Sequence, residues 1–153
     1  MIDQPQIVQT KEMLTAGIKL NIPRDEMMTA FGPAVQELMG VLNAQGIAPA
    51  GAVYTHHFRM TPELFDFEIA VAVGRPVTAS GRVLPGKLPA TKVARTIYRG
   101  GYEGLPGGWG KFTDWMNKEG MKQAVDLWEV YTVGPHSTPD ESKWETELNR
   151  PLV

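Results

Sequence analysis

The chain has 153 residues, 42% of them hydrophobic and 21% charged, which is enough apolar content to fill the core of one domain without metal or disulfide support. A formal net charge of −2 gives no positive field to attract nucleic acid or an anionic membrane, and the absence of cysteine excludes a disulfide framework, a thiolate nucleophile and cysteine-based metal sites. The N-terminal stretch is polar (Asp3, Gln4, Gln6, Gln9), and no apolar run approaches the roughly 18 residues of a membrane span, so a soluble, unexported, cytoplasmic protein is expected.

Residues Gln6 to Leu20 mix β-branched and other apolar side chains (Ile7, Val8, Met13, Leu14, Ile18) and predict one strand, closed by Pro23. From Met27 to Ala44 the apolar spacing changes to three and four (Phe31, Val35, Leu38, Leu42), which predicts an amphipathic helix. Gly32-Pro33 should restart or bend that helix, and Gly46 supplies its stop. Ala52 to Arg59 and Leu64 to Val77 then read as a hairpin turning around Thr61-Pro62, the second strand alternating Phe65, Phe67, Ile69, Val71 and Val73 with Asp66, Glu68, Ala70 and Ala72.

A connection containing glycine and proline runs from Gly74 to Pro89, after which the order starts again: a strand at Lys92 to Tyr98, a turn at Gly100-Gly101, and a helix carrying Leu105, Trp109, Phe112 and Met116 up to Gly120. Strands at Ala124 to Val133 and Trp144 to Leu152 close the chain. A shift of 74 residues carries Gly46 onto Gly120 and the helix positions Phe31, Val35, Leu38 and Leu42 onto Leu105, Trp109, Phe112 and Met116. Arg75-Pro76 recurs at Arg150-Pro151, each pair placed in the last strand of its unit. The sequence therefore predicts a single α+β domain made of two βαββ units, about 6–77 and 88–152, with a mostly antiparallel sheet, two main helices and a ligand cleft where the units join.

The strand at Ala124 to Val133 holds the chain's most conspicuous acid. Extended alternation puts Val125, Leu127, Glu129, Tyr131 and Val133 on one face, apolar except for Glu129. Burying an unpaired carboxylate costs several kcal/mol or more, so Glu129 must be solvated through a cleft, paired, or protonated.

Several segments together resemble the GyrI-like family of effector-binding domains, also found at the C-termini of AraC-type and MerR-type transcription regulators. They are Phe65-Asp66-Phe67-Glu68-Ile69, Lys87-Leu88-Pro89-Ala90, Gly101-Tyr102-Glu103-Gly104-Leu105 leading to Trp109, Trp128-Glu129-Val130-Tyr131, and Lys143-Trp144-Glu145-Thr146-Glu147-Leu148 ending in Arg150-Pro151-Leu152. The resemblance implies two βαββ modules around a small-molecule pocket in which an acid at Glu129 meets cationic, aromatic ligands. With no helix-turn-helix segment and an acidic balance, direct nucleic-acid binding is not expected.

Candidate ligand-binding residues are Glu129, Tyr131, Glu147, Tyr54, Tyr102 and Trp109, several with a plainer reading beside them. Glu129 could be a strand carboxylate paired with a lysine, and Tyr131 could serve core packing alone. Glu147, chosen over Glu145 by its match to the family tail, could bring a second carboxylate if its strand neighbours that of Glu129; both could also be solvated edge charges. Tyr54, Tyr102 and Trp109 could wall a delocalised cation by stacking and cation-π attraction, although Trp109 also fits the core stripe of its helix. His56-His57 does not make a metal pair, since adjacent strand residues face opposite ways, and no metal or other cofactor is expected. The glycines at Gly100-Gly101 and Gly107-Gly108 lack the phosphate-cradling pattern.

The first function these residues suggest is a stand-alone binding module that sequesters hydrophobic or cationic compounds or signals to a separate protein of unknown identity. The resemblance implies an alternative, hydrolysis of strained cyclopropane-containing electrophiles by Glu129 with Glu147 or Glu103, one delivering a proton while the other positions water. It also brings in inhibition of a protein such as DNA gyrase, for which the sequence offers no surface feature.

Overall fold

The computed structural model describes residues 1–61 and 63–153. Its main elements are β1 (Gln6–Gln9), β2 (Met13–Pro23), α1 (Met27–Ala44), β3 (Tyr54–Met60), β4 (Leu64–Ala72), β5 (Val83–Leu88), β6 (Lys92–Arg99), α2 (Leu105–Lys118), β7 (Leu127–Val133) and β8 (Glu145–Pro151). Pro62, expected at the turn between β3 and β4, lies outside the described residues.

The chain divides into two units, one of residues Lys11–Ala90 and the other of Met1–Thr10 with Thr91–Val153. In the first the strand order is β3-β4-β2-β5, in the second β7-β8-β6-β1, and the pairings within each are antiparallel. Each unit thus runs strand, helix, strand, strand in sequence and gains one edge strand, and the chain is of the α+β class. Ala34, Leu38 and Leu42 of α1 pack on Ala16, Ile18, Phe67, Ile69 and Val71. Phe112 and Met116 of α2 pack on Ala94, Tyr98 and Leu148. Both helices end on a glycine in the left-handed region, Gly46 (φ 67°) and Gly120 (φ 71°), where the following amide reaches back to the last turn, Ile47 N to Leu42 O at 2.9 Å and Met121 N to Met116 O at 3.0 Å.

Several boundaries differ from the sequence reading. The single strand expected at Gln6 to Leu20 is two, broken at residues 10–12, because its first part pairs with β6 and its second with β4 and β5. The connection from Gly74 to Pro89 contains β5, whose Val83 and Leu88 are buried while the four residues between are exposed. Pro85 is tolerated there because β5 is the outer strand of its unit. Pro33 does not interrupt α1: it lies on the exposed face, and the carbonyl of Thr29 that it leaves unbonded is also on an exposed residue. Val125 lies before β7 and is exposed, so it is not part of the Glu129 face.

The repeat is present in the pairing, but its offset changes along the chain. A bulge interrupts β3 between His57 and Arg59 and β7 between Tyr131 and Val133, 74 residues apart. Across each hairpin, Thr55 pairs with Ile69 and Glu129 with Leu148, so the last strands match at an offset of 79. Arg75-Pro76 consequently falls beyond β4, where Arg75 caps α1 by donating to the Gln45 carbonyl at 2.6 Å, whereas Arg150-Pro151 lies inside β8.

Position 57 places a histidine in the α1-facing core. Its ring stacks on Phe67 (5.2 Å between centroids, 19° between planes) and meets Phe65 edge-on at 5.4 Å. Among the described residues Nδ1 is buried without a hydrogen-bond partner, and burial pushes the imidazole down from 6.5 to about 4. A base depressed in the folded state contributes stability above its unfolded pKa and loses it as pH falls. Between pH 6.5 and 4 this group alone should remove about 3 kcal/mol, at roughly 1.4 kcal/mol per pH unit. Urea denaturation across that range should show the loss, and His57→Phe should flatten it; an unchanged slope in His57→Phe would assign the acid sensitivity elsewhere.

Candidate functional site

Register fixes which way β7 points. Glu129 pairs with Leu148 and Tyr131 with Thr146, and Leu148 belongs to the core under α2. Leu127, Glu129 and Tyr131 therefore face α2, while Trp128 and Val130 face the other side. The acid is buried, with 7% of its surface exposed.

Glu129 is held by two neutral donors. Trp109 Nε1, reaching down from α2, donates to Oε2 at 2.6 Å, and Tyr131 Oη donates to Oε1 at 2.9 Å. Burial raises the carboxyl above its ordinary 4.5, the two hydrogen bonds oppose this, and burial prevails. Tyr102, in the 3-10 turn Tyr102–Gly104 before α2, meets the Tyr131 ring edge-on at 5.8 Å and lies against Trp144 at 4.9 Å. Burial and the neighbouring Glu129 charge both raise its phenol. Trp144 is anchored in turn by its Nε1, which donates to the Thr138 carbonyl at 2.8 Å. The result is a buried acid inside a cluster of four aromatic side chains from α2, the turn before it, and the β7–β8 hairpin.

Helix α2 reaches this position through a close approach. The Tyr98 hydroxyl donates to the Gly101 carbonyl at 2.8 Å, and its ring lies directly under Gly108, where an added Cβ would come within 2.6 Å of Tyr98 Cδ1. Gly104 is equally closed by the Tyr98 hydroxyl. By contrast, a Cβ at Gly107 or Gly110 would meet nothing within 4 Å. Those two glycines weaken the helix without serving its packing.

Of the residues expected in the site, Glu129, Tyr131, Trp109 and Tyr102 are brought together. Glu147 is not: it pairs with Val130, which puts it on the face opposite Glu129, beside Arg95 (3.4 Å) and accepting from Asn149 Nδ2 at 3.1 Å. The neighbouring strands expected for Glu129 and Glu147 are present, but the pleat sends the two side chains apart. Glu145 shares the Glu147 face and binds Arg99, and Glu103 is exposed. Tyr54 belongs to the unit Lys11–Ala90, where it is buried near Thr15 and its phenol is raised first by burial and then by Glu68. His56 and His57 point to opposite faces of β3, as adjacent strand residues must. Trp144 is the aromatic member of the cluster that sequence reasoning missed; its signal was its place in the tail segment, two residues before Thr146, the cross-strand neighbour of Tyr131.

Residues 3–152 match the profile of the GyrI-like small molecule binding domain. The chain belongs to the GyrI-like family. Among curated protein sequences none matches it. Solved structures share the fold of this GyrI-like chain. The EcmrR C-terminal domain is 19% identical with a TM-score of 0.87, covering 98% of this chain and 97% of that one. Against EcmrR bound to DNA the identity is 20% and the TM-score 0.86, covering 97% of this chain but only 57% of that one. SAV2435 bound to tetraphenylphosphonium is 13% identical with a TM-score of 0.70, covering 99% and 94%. A hydrolase encoded by lin2189 from Listeria innocua is 13% identical with a TM-score of 0.69, covering 98% and 92%. Among the described residues of this GyrI-like domain no helix is long and apolar enough to cross a membrane.

The glycine geometry of α2 separates cleanly in mutants. Gly107→Ala and Gly110→Ala should each raise stability by up to about 1 kcal/mol, while Gly108→Ala should lower it by forcing α2 off Tyr98. Urea midpoints of the three variants test this, and a neutral Gly108→Ala would show that the close approach is not required.

Proposed function

We propose that this GyrI-like domain binds hydrophobic cations by setting their charge against Glu129 and their apolar groups against Trp109, Tyr131, Tyr102 and Trp144. The observation that carries the reading is the carboxyl itself. It is buried, its two hydrogen bonds come from neutral donors, and among the described residues no cation enters its electrostatic balance. An acid kept in that state costs stability, and a ligand cation supplies the missing counter-charge in a setting of low dielectric. Aromatic faces add cation-π attraction without demanding a fixed ligand shape. The tetraphenylphosphonium bound by SAV2435, a relative of the same fold, is a ligand of this kind.

Glu147 and Tyr54 are left out of this assignment, the first because it faces away from Glu129 and the second because its phenol is buried beside Thr15 and Glu68. A two-glutamate hydrolase has no support from these positions, since Glu147 and Glu103 do not join Glu129 in the aromatic cluster. The domain acts on this reading as a sequestering or signalling module, and its ligand leaves chemically unchanged.

Tetraphenylphosphonium titrated into the protein should quench tryptophan fluorescence, because Trp109 and Trp144 lie in the cluster. Glu129→Gln preserves shape and removes the charge, and should weaken binding by about 10- to 100-fold, the range for a desolvated charge contact. Unchanged affinity in a folded Glu129→Gln protein would refute the assignment of the acid.

A further inference from the structure

The surroundings of Glu129 raise the question of what balances its charge when no ligand is bound. From α2, the groups that face it are Trp109 and the core side chains; the charged residues of that helix, Lys111, Asp114 and Lys118, are exposed. From the turn before α2, Tyr102 faces it and Glu103 is exposed. From β8, Leu148 lies across from it and Thr146 beside it, the latter fully buried with its hydroxyl lacking a hydrogen-bond partner. Glu145 and Glu147 of β8 are turned to the other face and taken by Arg99 and Arg95. Arg150 shares the α2-facing side of β8, but its Nε donates to the Ala124 carbonyl at 2.9 Å and its charge acts with Asp126. From the segment after β7, Gly134 lies against the Tyr102 hydroxyl, and His136 beside it is exposed. The unit Met1–Thr10 with Thr91–Val153 thus brings no cation to the acid on any of these elements.

Resting on the binding function above, we propose that a permanent cation enters the Glu129 site in exchange for a proton. In the empty site the carboxyl carries the proton that neutralises it. As the cation takes its place, the O–H bond of Glu129 breaks, its electron pair stays on the carboxylate, and the proton leaves to water. One positive charge replaces another, so the buried site never holds a net charge. The two hydrogen bonds from Trp109 and Tyr131 suit this exchange, since both donors stabilise the anion that forms when the proton departs. The site therefore responds to pH as well as to ligand, and favours cations over neutral molecules of the same shape more strongly as pH rises.

Calorimetric titration of the full chain with tetraphenylphosphonium chloride, in buffers of different ionisation heat between pH 5 and 9, measures both affinity and protons released. Expected are close to one proton released per cation at the acid end and affinity rising about tenfold per pH unit there. Neutral triphenylphosphine oxide should release none. Glu129→Gln should bind the cation weakly, with no proton released and no pH dependence. Without ligand, the stability of the wild-type protein relative to Glu129→Gln should fall as pH rises, because an acid raised in the folded state loses its contribution as pH climbs from its unfolded to its folded pKa, and taking this difference removes the opposite contribution of His57. Tight cation binding with no proton released at any pH would overturn the exchange while leaving the binding site standing. Absence of cation binding by the wild-type protein would overturn the binding function itself.

Discussion

An acid shut away from water, with no cation beside it among the described residues, is the constraint on which the rest of this domain's second unit turns. The fold answers it with two neutral donors, one from the helix above (Trp109) and one from its own strand (Tyr131). Neither is strong enough to return the carboxyl to its ordinary proton affinity, since burial still raises it. A site of this kind has its packing finished, while its acid lacks a protein counter-charge among the described residues. That is a poor design for stability, and on the proposed function it serves recognition, since a bound cation would take over the neutralisation of the acid.

The scaffold shows how the site arises from a repeated plan. Both units use strand, helix, strand, strand, with matching bulges and matching stop glycines. Where β7 carries Glu129 and Tyr131, β3 carries Thr55 and His57, on the corresponding face under its own helix. In the first unit that face is closed by Phe67 stacking on His57 and Phe65 meeting it edge-on, and burial there lowers the imidazole's proton affinity. In the second, Gly108 allows α2 to settle low enough over Tyr98 for Trp109 to reach the acid. The same strand-helix-strand-strand plan thus supports a packed core in one copy and a polar aromatic cluster around an acid in the other, the difference lying in a few side chains.

Periodicity made much of this legible. The apolar spacing gave both helices and their stops, and the alternation in β7 put Glu129 and Tyr131 on one face before any partner was known. What alternation cannot supply is register across strands. The parity of β8 relative to β7 sends Glu147 away from Glu129, and no property of either strand read alone decides that parity. The edge strand β5 was hidden because Pro85 and Gly86 are turn formers everywhere except on an unpaired margin, and the break between β1 and β2 because both parts are strands that differ only in which neighbours they join. Trp144 lies just before β8 and enters the cluster through Tyr102, a contact made only when the loop between β7 and β8 has folded back.

The most direct measurement is a crystal structure of the domain with tetraphenylphosphonium. Phosphonium density is predicted within about 6 Å of the Glu129 carboxylate, its phenyl groups against Tyr131, Tyr102 and Trp144, with Trp109 Nε1 and Tyr131 Oη still donating to the carboxylate. Phosphonium density elsewhere on the molecule, away from Glu129, would contradict this placement.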